Sequence, residues 1–149
     1  MTVFERYYGF MENYTDFYRQ VRAAENEKLE ALLSNDIDRI GAAMKEYQSY
    51  IKKAQQMEHE RIDLCKELGF ENMAFSHIVS HFEGEEKEKI TEQKNVLNDI
   101  VSTIKYFNRK SIEFVNMQLS YVEGESSTYN AKGQTDAHLA NSNLLNKQI

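Results

Sequence analysis

The chain has 149 residues, a net charge of −6, one cysteine and no proline. Its length suits one domain, and long helices can form because proline, which breaks helix interiors, is missing. The acidic charge disfavours nucleic acid as a partner, and no apolar run is long enough for membrane insertion. A single cysteine excludes an internal disulfide and suits a reducing cytoplasm, so we expect a cytoplasmic location.

The first predicted helix covers residues 4–33. Its apolar residues recur at alternating spacings of three and four, which is typical of one face of a helix. They are Phe4, Tyr7, Met11, Tyr14, Tyr18 and Val21. A charged stretch at residues 25–28 interrupts this stripe before leucines resume it. Residues 34–36 favour a turn, and Asn35 or Asp36 is expected to cap the next helix.

The second predicted helix runs from Ile37 to Leu68, again with three-four spacing. Gly69 tolerates the left-handed conformation that ends many helices. We therefore expect the second helix to end there, with Phe70 packing back near Cys65.

Residues 71–84 predict a short helix, or two turns, that crosses the end of a bundle. Residues 85–123 predict a last long helix with an unusually wide apolar stripe, formed by two rows of side chains. The first row is Leu97, Ile100, Ile104, Phe107, Ser111, Phe114, Gln118 and Tyr121. The second row is Val101, Val115 and Val122. A stripe this wide indicates more than one neighbour, or one neighbour and a later partner.

The fold class expected is all-α, an elongated antiparallel helical bundle of three long helices with a short linker helix and a flexible C-terminal tail. The bundle is predicted to cover residues 1–123 and the tail residues 124–149. The tail has little apolar surface, yet it keeps a tyrosine and several late leucines. This composition suits a segment that binds a partner.

Candidates for chemistry are few. His77 and His81 lie one helical turn apart, but no second pair supplies further metal ligands. The carboxylates of residues 58–61 are expected on a solvated face with internal ion pairs, and the tyrosines of the helices are explained by packing. Cys65 is expected to fill core space. The sequence therefore predicts no enzyme, no metal and no cofactor, and a metal-dependent bundle enzyme would depend only on the two histidines and nearby carboxylates.

The order of several motifs resembles the FlgN family of flagellar export chaperones over nearly the whole chain. The motifs are LEALL at 29–33, NDID at 35–38, ERIDLCKELG at 60–69, the pattern of Phe107, Asn108, Ser111, Phe114 and Val115, then LSYV at 119–122 and STYNAKG at 127–133. One departure is Ser111, where the family often has a second asparagine.

The resemblance implies a cytoplasmic chaperone of the flagellar type III export system. Its partners would be hook-filament junction proteins of the FlgK and FlgL type, whose C-terminal helices it covers to prevent premature assembly, and the export gate FlhA. The client-binding residues implied are Asn108, Phe114, Val115, Leu119 and Val122, with Leu139, Leu144 and Leu145 of the tail. Those implied for docking at the gate are Tyr129, Asn130 and Gly133.

The long three-four spacing leaves an alternative open, a self-associating coiled-coil scaffold or adaptor. A homodimer is also compatible with the sequence. A mass that rises with concentration would favour this alternative, and a constant monomer mass would count against it.

Overall fold

Four helices make up residues 1–122, the part of the chain that the computed structural model describes. They are α1 (Val3–Ser34), α2 (Ile37–Glu67), α3 (Phe75–Val79) and α4 (Gly84–Val122). The all-α class, the three long helices and the short linker helix are thereby confirmed, and no strand occurs within these 122 residues. The predicted tail, residues 124–149, lies outside the described residues. No helix among those described has both the length and the apolarity to cross a membrane.

Helix α1 is the centre of the bundle, since both α2 and α4 pack against it. It runs antiparallel to α2, because Arg6 pairs with Glu67 at one end and Arg39 pairs with Glu27 at the other. Helix α4 runs in the same direction as α1. Gln93 donates to the Tyr8 carbonyl oxygen at 3.0 Å near the start of both helices, and the Lys28 Nζ and Asn108 Oδ1 atoms meet at 3.3 Å further along.

The ends of the helices follow local capping chemistry. Asp36 caps α2 by accepting hydrogen bonds from two backbone amides of its first turn. Gly69 adopts a φ of 85°, and the Phe70 amide donates to the Cys65 carbonyl oxygen at 2.7 Å. This is the hydrogen-bonding pattern of a Schellman motif. Thr2 and Glu5 form a capping box at the start of α1, a feature that we did not predict.

The main apolar core lies at the end of the bundle where α1 begins and α2 ends, called here the proximal end. Helix α3 and the residues after it close this end, as predicted, with Phe75, Ile78, Val79 and Phe82 buried. The Phe82 ring meets Phe4 edge-on at a centroid distance of 5.3 Å. Edge-to-face aromatic pairs of this kind stabilise a core beyond the area they bury.

The distal half of the bundle, residues 24–34, 37–47 and 105–122, has a different interior. None of its residues is a buried member of the main core. Its buried residues are three alanines, one tyrosine and four polar or charged residues: Ala24, Ala31, Ala43, Tyr47, Glu25, Lys28, Asn108 and Ser111. Apolar burial therefore stabilises mainly one end of this elongated molecule.

Candidate functional site at the distal end

Exposed apolar side chains gather at the distal end. The set called here the distal apolar surface comprises Leu33, Ile37, Met117, Tyr121 and Val122, all at least half exposed. Leu33 is in the last turn of α1, Ile37 is the first residue of α2, and the other three are in the last turns of α4. Exposed large apolar residues that cluster in this way are typical of interaction sites.

The last turns of α4 extend beyond the rest of the bundle. Lys28 and Asn108 meet directly, so Ser34, six residues on, lies at about the level of Phe114. Eight further residues reach Val122, a rise of about 12 Å at 1.5 Å per residue. Helix α1 has ended by then, which leaves these turns without a helix beside them on that face.

The structure places the predicted client-binding residues of α4 in three environments. Phe114, Val115 and Leu119 are half-buried, and Val122 is exposed. Asn108 is only 2% exposed and holds the Lys28 ammonium, so a client cannot touch it while α4 stays packed on α1. The tail candidates, Leu139, Leu144, Leu145, Tyr129, Asn130 and Gly133, lie outside the described residues.

The wide stripe of α4 is only partly covered. Among the described residues, α1 and α3 are the helices that pack most extensively against it, and Ser111 is its last buried residue. Tyr121, for which we expected core or groove packing, does not lie in the core and is 79% exposed, because α4 extends beyond α1 at this end. The second half of the stripe is therefore available to a partner.

A buried polar cluster connects the three long helices just below the distal apolar surface. The Lys28 ammonium lies 2.9 Å from the Glu25 carboxylate, and both side chains are fully buried. The same ammonium stands 3.8 Å from the centre of the Tyr47 ring of α2, in cation–π geometry. The ammonium also donates a hydrogen bond to the Asn108 side-chain oxygen of α4, its third contact. We call Glu25, Lys28, Asn108 and Tyr47 the polar latch.

Burial shifts the ionisation of both charged members of the polar latch. It raises the pKa of Glu25, although the Lys28 charge opposes the shift. It lowers the pKa of Lys28, against the opposing attraction of Glu25. Low solvation disfavours the charged form of each group, so burying the ion pair costs desolvation free energy.

Sequence reasoning missed the polar latch because it treated residues 25–28 as an interruption of the apolar stripe. A signal was nevertheless present. Glu25 follows Val21 by four residues and Lys28 follows by three more, so both keep the register of the stripe. The register, rather than the polarity, decided which way these side chains face.

The polar residues 58–61 of α2 are also less exposed than predicted. Arg61 donates to the Glu58 carboxylate at 2.8 and 3.0 Å, which confirms the internal ion pair, but each side chain is only 15% exposed. The prediction that these two residues lie on a solvated face was therefore wrong. The pair lies near the buried tyrosines of α1, and burial raises the pKa of Tyr14 and Tyr18.

No catalytic arrangement emerges from the other candidates. His77 and His81 are exposed on and just after α3, and the His81 Nδ1 atom lies 3.0 Å from the His77 carbonyl oxygen. Within residues 1–122, no three His, Cys, Asp or Glu side chains are grouped so that they could hold a metal ion. Cys65 is buried, as predicted, and burial raises the pKa of its thiol.

The model of the FlgN protein family matches residues 1–137. This range includes Tyr129, Asn130 and Gly133 but stops before Leu139. No curated protein matches the chain, and no solved structure matches it either.

Proposed function

We propose a client for this chain, which belongs to the FlgN family and is therefore a flagellar export chaperone that binds export substrates. Its distal half receives the C-terminal helices of hook-filament junction proteins of the FlgK and FlgL type. These helices assemble only in the finished structure, so in the cytoplasm their apolar faces need cover. The chaperone supplies that cover and prevents premature assembly.

The observation that carries the proposal is the apolar surface left open on α4. Met117, Tyr121 and Val122 are exposed on turns that extend beyond α1. An amphipathic client helix can lay its apolar face along such a surface, with contacts at three-four spacing. Leu33 and Ile37, beside the α1–α2 turn, are exposed at the same end of the bundle.

The tail has two roles in this proposal. Leu139, Leu144 and Leu145 close over the bound client helix, and Tyr129, with Asn130 and Gly133 around it, docks the complex at the export gate FlhA. Support for the second role comes from the family match, which includes these three residues. Ordering a tail on binding costs conformational entropy, which keeps the affinity moderate and allows release for export.

A pair of charge substitutions tests the client site. Met117 on α4 is 50% exposed and Ile62 on α2 is 48% exposed, so the two are matched in exposure and differ in place. Met117→Glu puts a charge where the client's apolar face would lie. We expect it to weaken binding of a FlgK-type C-terminal fragment at least tenfold by isothermal titration calorimetry, while Ile62→Glu stays within about twofold of wild type.

Both variants should keep the helicity and melting temperature of the parent, since both side chains are half-exposed and a charge there can reach water. Equal affinities in Met117→Glu and Ile62→Glu would exclude the distal surface as the client site. Sedimentation velocity on the same samples tests the homodimer. If Met117→Glu halves the mass of the free protein, this surface serves self-association, and the coiled-coil scaffold is the better description.

A further inference from the structure

In the distal half of the bundle, none of the large apolar side chains of α1 and α4 is fully buried. The buried residues of this half include no Leu, Ile, Val, Phe or Met, and the one large aromatic residue among them, Tyr47, belongs to α2. The α4 residues buried there are Asn108 and Ser111, and the Ser111 hydroxyl finds no hydrogen-bond partner among the described residues. Regions with few buried apolar contacts open locally more often than the core does.

The polar latch makes this opening easier still. Glu25 and Lys28 lose their hydration when the helices close, and their attraction offsets only part of that loss. When α4 separates from α1, both charges and the Asn108 amide regain water. An apolar interior gains nothing comparable on exposure, because water disfavours apolar surface.

We infer that the client groove is cryptic: the distal part of α4 separates from α1 at the polar latch, and an amphipathic client helix enters between them. The inference rests on the proposed function and extends it. It gives Asn108 a role that its burial otherwise prevents, since opening turns the residue towards the incoming helix. It also makes the inner face of α4 continuous with the distal apolar surface.

The opened groove has a defined extent. Its floor is the α4 face from Phe107 to Val115, and the exposed turns up to Val122 continue it, a length of about 22 Å along the helix. This length accommodates about four turns of a client helix. The proximal core, closed by α3, remains packed and keeps α1 and α4 joined at their other end.

Hydrogen exchange on the free, full-length chaperone tests the opening without any client. We expect backbone amides of residues 24–34 and 105–118 to exchange at least tenfold faster than those of the proximal core, residues 7–21 and 90–104. Equal protection in the two halves of the wild-type protein would overturn the inference.

Two variants that share one substitution shift the opening in opposite directions. Lys28→Met alone leaves the Glu25 carboxylate buried without its cation, so distal exchange should accelerate at least tenfold. Glu25→Met combined with Lys28→Met replaces the ion pair by apolar side chains of similar size, so distal exchange should become slower than in the wild type. Asn108 and all exposed residues of α4 are unchanged in both.

Stopped-flow association with a FlgK-type C-terminal fragment completes the test. The single variant should bind the fragment faster than the wild type, and the double variant about tenfold slower. Because both lack Lys28, opposite shifts cannot come from a lost contact between Lys28 and the client. Association rates that are the same in all three proteins would refute the cryptic groove.

The outcomes also separate this inference from the proposed function. If the wild type binds no junction-protein fragment, the proposed client is wrong, whatever the exchange data show. If the fragment binds and exchange is uniform along the bundle, the client site stands and the cryptic groove fails. Should circular dichroism show that the double variant does not fold, the wild-type exchange pattern and the single variant still decide.

Discussion

Glu25 and Lys28 show how a helix position can outweigh the chemistry of its side chain. Both stand where the stripe of α1 faces its neighbours, and both are fully buried as an ion pair. A buried ion pair contributes little net stability, yet breaking it by removal of one partner is costly. The pair therefore connects the helices of the distal half but adds little to the net stability of that half.

The raised pKa of Glu25 gives the residue a measurable effect on stability. Burial raises this pKa above 4.5, the ordinary value, so the folded state binds the proton more tightly than the unfolded state does. The resulting stabilisation is present below pH 4.5 and is lost as the pH rises through the folded pKa. The loss amounts to about 1.4 kcal/mol for each unit of pKa shift.

Urea denaturation of wild type and Glu25→Gln at several pH values measures this effect. Glutamine keeps the shape but does not titrate. We expect the unfolding free energy of wild type, minus that of the variant, to fall as the pH rises from 4 to 7. Other carboxylates cancel in this difference. A difference that is constant with pH would mean that Glu25 has no raised pKa.

At the scale of the elements, helix ends depend on single residues. Gly69 has a φ of 85°, a conformation in which a side chain is strained. Gly41 lies in the second turn of α2, exposed, and a methyl group added there would meet nothing within 4 Å. The two exposed glycines therefore differ in role, since Gly41 lies within α2 and Gly69 ends it.

Replacing each glycine by alanine should give opposite results. We expect Gly41→Ala to raise the unfolding free energy by about 0.5–1 kcal/mol, because alanine loses less backbone entropy in a helix. Gly69→Ala should lower it by about 1–2 kcal/mol, the cost of a left-handed alanine. Thermal denaturation by circular dichroism compares them, and two shifts of the same sign would contradict the C-terminal cap assigned to Gly69.

At the scale of the whole molecule, the bundle has a proximal end that contains the main apolar core and a distal end where we propose the client site. Aromatic packing around α3 closes the first end. The second end brings together the polar latch, the exposed turns of α4 and the point from which residues 123–149 continue the chain. The main apolar core and the proposed client site thus lie at opposite ends of one set of helices.

Two changes in the C-terminal segment separate client binding from gate docking. Deleting residues 124–149 should leave the helical signal of the bundle nearly intact, because the proximal core is untouched, but it should weaken binding to both the client fragment and FlhA. Tyr129→Ala should weaken only FlhA binding, since the client contacts remain. Both affinities can be measured by biolayer interferometry.

The full-length wild type is the reference, and Ile62→Glu is a control for an unrelated surface change. Client affinity that is unaffected by the deletion would remove the tail from the client site. FlhA affinity that is unaffected by Tyr129→Ala would remove Tyr129 from the docking site.

The sequence by itself determined the local structure. Three-four spacing gave the helices, and Asp36 and Gly69 marked their ends, because caps and periodicity act between residues that are neighbours along the chain. The stripe of α1 was also predictable as far as Val21, and all six of its named members are buried. The family resemblance came from motif order and is confirmed by the match over residues 1–137.

Only the tertiary structure decided how far each stripe is covered. Tyr121 and Ile37 continue apolar patterns but are exposed, because α1 ends before the last turns of α4 and the hairpin turn lies at the surface. Glu25, Lys28 and Asn108 look like surface residues in the sequence and meet only when three helices pack together. Burial depends on what lies opposite each side chain, and that is a property of helix lengths and offsets in space.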